Sequence, residues 1–194
     1  MYYNLIMPQI TKMLYVKDAK EWRQWLTKNY NNEKDIWLLL PHVDSGKQKI
    51  VYNDSVEEAL CFGRIDSTVK NFDKHNSVQR FTPRRKGSPY SQTNIERLLL
   101  LTKEGKLIPE ISKSTKVILQ KKFHFPKDTI AAIQKNAEAW KNFQRYSDSY
   151  KRIRIAYIEG FRSIPDDYKK KLQYFIKKTA RGIQFGFGGI EKYF

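Results

Sequence analysis

A chain of 194 residues with 40% hydrophobic and 14% aromatic side chains has the material for one ordinary domain or two small ones, which excludes wholesale disorder. Lys and Arg number 37 against 20 Asp and Glu, a formal net charge of +17, and a single cysteine excludes both an internal disulfide framework and a zinc cage of several thiolates. No stretch nears the roughly 20 apolar residues of a membrane span, and the N-terminus lacks the basic region of a signal peptide. A soluble, cytoplasmic protein with no membrane insertion is expected.

Taken in chain order, residues 13–16 read as a strand. Asp18 then caps a helix carrying Trp22, Trp25, Leu26 and Tyr30 on one side. The apolar run Ile36-Trp37-Leu38-Leu39-Leu40 before Pro41 reads as a buried strand. Residues 42–49, with Asp44-Ser45-Gly46, are expected to turn the chain back into Ile50-Val51-Tyr52 as a hairpin. Asp54 or Ser55 is expected to cap the next helix, which ends at Phe62 with Gly63 in the left-handed C′ position. Residues 65–72 and 77–83 have strand character.

From residue 88 the pattern turns helical. Ser88-Pro89 or a capping box at Thr93 and Glu96 starts a helix with Ile95, Leu98 and Leu99, and residues 109–122 add a short one. Pro126 opens a helix with Ile130, Ile133, Ala137, Trp140 and Phe143 at near-heptad spacing. Ser147 or Asp148 opens another, with Tyr150, Ile153, Tyr157 and Phe161 in line. Pro165 opens the last, with a stripe of Tyr168, Leu172, Phe175, Ile176 and Thr179. The Gly- and Phe-rich tail from Gly182 reads as a loop that tucks aromatic rings onto the body. The class is α+β: a small antiparallel sheet with helices over residues 1–108 and a helical part over 109–194, packed as one unit.

The charge is uneven: residues 1–65 carry a net +1, while 66–130 and 131–194 carry +8 each. Such a surface attracts polyanions, nucleic acid among them, although no zinc-finger spacing, RNP strand or basic zipper is present. Lysines 169–171 and 177–178 read as solvated helix faces.

The densest chemistry lies between residues 59 and 94. Arg64, Asp66 and Thr68 alternate along one strand. If that strand pairs with the next so that residue numbers sum near 148, Arg80, Thr82 and Arg84 share the same face. Three guanidinium groups and one carboxylate would then sit beside a helix start carrying Ser88, Ser91 and Asn94, an arrangement suited to a carboxylate or phosphate. A structural ion pair and ordinary helix capping are the plainer account of the same residues. Cys61 falls in the last turn of a helix, where the dipole opposes a thiolate, and reads as packing. His42, His75 and His124 fall in no metal-ligand spacing, and no phosphate-binding glycine motif occurs, so neither metal nor cofactor is expected.

Ala59-Leu60-Cys61-Phe62-Gly63-Arg64-Ile65-Asp66, then Arg80-Phe81-Thr82-Pro83-Arg84, then Ser88-Pro89-Tyr90-Ser91-Gln92-Thr93-Asn94 resemble in order and spacing the YdeI/OmpD-associated, or bacteriocin-protection, family. The likeness is densest from Trp25 to Leu107; weaker likeness continues from Phe125 to Phe143 and from Ser149 to Ile158. Arg64 and Tyr90 stand where the family usually carries Trp. The resemblance implies tolerance of bacteriocins or cationic antimicrobial peptides and association with an outer-membrane porin, with no assigned reaction; an anionic small molecule or a protein partner is the means expected for it. Two alternatives stand beside it: an enzyme with a pocket of Arg64, Asp66, Arg80 and Arg84 for an anionic substrate, and a nucleic-acid-associated basic protein.

Overall fold

The computed structural model describes residues 9–186 and 189–194; the lead-in 1–8 and tail residues Phe187 and Gly188 lie outside them. The chain forms two compact units, Met1–Ser88 with Leu101–Ser114, and Pro89–Leu100 with Thr115–Phe194. Their content is α+β, with the strands in the N-terminal half and a run of helices after them.

The first unit is built on a sheet of β1 (Met13–Tyr15), β2 (Ile36–Pro41), β3 (Arg64–Asn71) and β4 (Asn76–Pro83) in the order β1-β2-β4-β3. Asp18 caps α1 (Ala19–Asn29) by accepting a hydrogen bond from the Glu21 amide at 2.9 Å. Because α1 carries the chain from β1 to β2, those strands run parallel, and the sheet is mixed rather than wholly antiparallel. The hairpin expected from residues 42–52 does not form. Residues 43–45 make a single 3₁₀ turn, Ile50 is buried outside any ladder, and β2 pairs with β4 instead. Tyr52 already belongs to α2 (Tyr52–Cys61), so Asp54 sits in the first turn, where its charge suits the dipole, and Ser55 lies inside the helix rather than capping it. Gly63 follows with φ 69°, a left-handed residue as the C′ position requires. Trp22, Leu26, Ile36, Leu38, Val56, Leu60 and Phe81 are buried in this unit's core.

Helix α3 (Gln92–Lys103) begins one turn after Ser88-Pro89; Ser91 caps it by accepting from the Asn94 amide at 3.3 Å. After α4 (Pro109–Leu119), the single helix expected from Pro126 divides into α5 (Lys127–Gln134) and α6 (Ala137–Arg145). Asn136 causes the break: its side chain accepts from the Ala139 amide at 2.9 Å, which starts a new helix rather than continuing the old one. Helices α7 (Asp148–Glu159, capped by Ser147) and α8 (Pro165–Ala180) follow. Ile133, Phe143, Tyr150, Ile153, Ile158 and Phe175 centre the second unit's core, and the tail adds Ile190 and Tyr193 to it.

Candidate functional site

The hairpin of β3 and β4 forms as the spacing predicts, but not with one register. Val69, Lys70 and Asn71 face Gln79, Val78 and Ser77, a sum of 148; before them, Arg64, Ile65 and Asp66 face Pro83, Thr82 and Phe81, a sum of 147. A bulge between Asp66 and Val69 absorbs the extra residue. A slip of one residue exchanges the faces of a strand. Arg64 and Asp66 therefore share the face of Phe81 and Gln79, while Arg80 and Thr82 point to the other side and Arg84 lies beyond the end of β4.

Arg64 is wholly buried and serves the backbone: Nη1 donates to the carbonyls of Tyr30 and Glu33, each at 2.9 Å, and Nη2 to that of Phe81 at 3.3 Å. Burial pushes its guanidinium down from the ordinary value, against the pull of Asp35 and Glu33. Asp66 accepts from the Tyr52 hydroxyl at 3.0 Å and the Gln79 amide at 3.2 Å. Arg80 forks onto Asp35, with Nε at 2.8 Å, and its guanidinium carbon lies 5.9 Å from the centre of the Trp37 ring. Asp35 is drawn below the usual carboxylate range: burial pushes it up, but the Thr11 hydroxyl, Arg80 and Arg64 outweigh that. The half-buried Arg84 holds the Gly63 carbonyl through its amide at 2.9 Å, and the exposed Ser88 donates to the Arg85 carbonyl at 2.9 Å. Ser91 and Asn94 belong to the second unit, where Asn94 accepts from Arg97 at 2.9 Å.

Cys61 is fully buried, and burial together with nearby Glu58 pushes its thiol up to about 11, against Arg23. At pH 8 a thiol reagent is expected to react with the folded chain at least roughly a hundredfold more slowly than with a free thiol, from the thiolate fraction alone. Full reactivity should appear only in denaturant; rapid labelling of the native protein would contradict the packing role.

The second unit contains a different arrangement. Arg154 on α7 is 5% exposed, and among the described residues its guanidinium has no carboxylate or hydrogen-bond partner; Nε is buried and unbonded. Aromatic rings surround it instead, with the guanidinium carbon 4.2 Å from the Phe185 centroid, 5.1 Å from Tyr157 and 6.0 Å from Phe175. Burial pushes this guanidinium down from its ordinary value, partly offset by the neighbouring phenols. Arg154, Tyr157, Lys170, Lys171, Tyr174 and Phe185 line a recess of about 360 Å³, with no acidic residue among them. Lys171 lies over the Phe161 ring at 4.1 Å, and the residues Tyr157 and Tyr174 are 42% and 51% exposed.

A larger recess of about 750 Å³ includes Gln92, Glu96, Phe123, Phe125 and Arg152 in its wall. Its arginine is already paired, since Arg152 clasps Glu96 through Nε at 2.6 Å and Nη2 at 2.7 Å, and the wall adds Asp148 to its Lys121 and Lys122. Of these two recesses, the smaller combines a buried cation without a counter-charge with further cations at its mouth.

Phe185 is set over Arg154 by Tyr150, whose hydroxyl donates to the Phe185 carbonyl at 3.1 Å and accepts from its amide at 3.0 Å. Tyr150→Phe removes both bonds. It is expected to lower stability by about 1–2 kcal/mol and to speed amide hydrogen exchange at residues 183–186. Unchanged exchange there would show that the tail is held by packing alone.

None of the residues lining the Arg154 recess falls in the stretch between residues 59 and 94 where the sequence concentrates its chemistry. The signal was available, because Tyr150, Arg154 and Ile158 stand at i, i+4 and i+8 and so put an arginine on the apolar stripe of α7.

Residues 14–114 match the family described as a domain of unknown function (DUF8412). Residues 122–182 match the family described as bacteriocin-protection, YdeI or OmpD-associated, so this match falls on the later part of the chain rather than on the motifs between residues 59 and 94. No curated protein and no solved structure matches the chain. The first match covers more than half of the sequence: the chain belongs to the DUF8412 family and carries a YdeI-like segment over residues 122–182.

Proposed function

We propose that this chain is a YdeI-like binding protein of the cytoplasm that takes an anionic ligand in the recess around Arg154, and that any part in tolerance of bacteriocins or cationic antimicrobial peptides runs through that ligand. One observation carries the reading: a guanidinium 5% exposed, without a counter-charge, opens into a recess edged by two lysines. Burying an uncompensated charge is unfavourable by several kcal/mol, roughly, so the arrangement suits a site that an anion completes. Arg64, Asp66 and Arg80 have internal partners, so the anion is assigned to Arg154 rather than to them. The +17 net charge also argues against direct capture of a cationic peptide, which the surface would repel.

The test is a thermal-shift titration with phosphate and sulfate against chloride at matched ionic strength. A ligand that binds the folded state alone stabilises it by about 1.4 kcal/mol at ten times its Kd. An upward shift specific to the divalent anions, absent from Arg154→Met, supports the proposal. Equal shifts for all salts, or an undiminished response in the variant, overturn it.

A further inference from the structure

We infer that the ligand of the Arg154 recess is a nucleotide unit, an aromatic base joined to a phosphate, with the phosphate held by Arg154, Lys170 and Lys171 and the base stacked on Tyr174. This rests on the anion-binding reading above and adds the chemistry of the ligand. Three cations and no acid line the recess. A phosphate monoester, with about 1.5 to 2 negative charges at neutral pH, matches that set better than a carboxylate with one.

A bare phosphate, however, leaves the aromatic wall unused. Tyr157 and Tyr174 keep 42% and 51% of their surface exposed, side by side with the cations, and the Phe185 ring meets Tyr174 edge-on with centroids 5.2 Å apart. Exposed rings interleaved with cations are the recurring means of holding a base and its phosphate without reading sequence. The recess volume of about 360 Å³ falls at the small end of ligand clefts, roughly 300–1,000 Å³, and suits a single such unit. The same chemistry can come from a free mononucleotide or from one residue of a single strand. Beyond the recess, Lys178 lies 5.5 Å from the Tyr174 ring, with Lys177 exposed next to it on α8.

Binding to the full chain is measured by calorimetry for adenosine 5′-monophosphate, adenosine, inorganic phosphate, O-phosphotyrosine and a five-residue single-stranded oligoadenylate. The monophosphate is expected to bind at least tenfold more tightly than phosphate, adenosine or phosphotyrosine. Tyr174→Ala should remove most of that advantage while leaving phosphate binding unchanged, and Tyr174→Phe should retain it. Binding of the oligomer that exceeds the monophosphate and falls steeply with salt identifies a strand as the source; equal binding identifies the free nucleotide. Phosphate or phosphotyrosine binding as tightly as the monophosphate overturns the nucleotide assignment and leaves the anion site standing. Undiminished binding of both phosphate and the monophosphate by Arg154→Met overturns both.

Discussion

Arg64→Ala is expected to lower the stability of the first unit by about 3 kcal/mol or more. The guanidinium donates to three carbonyls, and two of them, Tyr30 and Glu33, close the turn that leads from α1 into β2. A helix C-terminus and the turn after it leave carbonyls that a nearby arginine can satisfy. Alanine strands those acceptors in a cavity where the side chain was fully buried. Each unsatisfied buried group costs about 1–3 kcal/mol. Tryptophan here has one N–H for three acceptors and is also expected to destabilise. Lysine reaches with a point charge rather than a fork and should recover only part of the loss. Urea unfolding followed by fluorescence suits the measurement, because Trp22, Trp25 and Trp37 all lie in this unit. A loss below about 1 kcal/mol would show that water satisfies the freed carbonyls at little cost.

The same arginine shows where sequence reading stops. The helix after Asp18 and the left-handed Gly63 rest on local chemistry, namely a side-chain cap and a missing Cβ, and both are legible from neighbours in sequence. The face on which Arg64 lies is not local. It depends on one extra residue between Asp66 and Val69, and no residue type in that stretch announces a bulge. Pairing of the right two strands was readable; which side chains met was not. The failed hairpin has a similar origin. Ile50, Val51 and Tyr52 have strand propensity, but β2 pairs along its whole length with the longer β4, whose Val78 and Phe81 are fully buried, and burial overrides propensity. Arg154 is different again, since its position on the apolar stripe was in plain view. Lysines and arginines of a basic chain invite reading as solvated, and only burial separates this one from the rest.

Arg154→Met carries the sharpest expectation because it predicts opposite signs for stability and for binding. Methionine keeps much of the stem volume and exchanges the guanidinium's cation–π interactions for sulfur–aromatic ones with Phe185 and Tyr157. A desolvated cation–π interaction is worth about 2 kcal/mol and a sulfur–aromatic one about 0.3–1.5, so that exchange costs about 1 kcal/mol. The desolvation relieved amounts to several kcal/mol, roughly, for a buried ion, and it decides the sign. The net expectation is a gain of about 1 kcal/mol without ligand, read as a rise in thermal midpoint of roughly 2–4 °C for a chain of this size. Phosphate, which is expected to stabilise the native protein, should then leave the variant unmoved. Arg154→Lys separates charge from shape: it keeps the cation but loses the planar fork, so weakened phosphate binding with no stability gain is expected. A residue held only for packing would behave otherwise, losing stability on conversion to methionine and keeping its anion response. That outcome would falsify the site, since the uncompensated cation in the wall of the recess would then be part of the core rather than half of a binding pair.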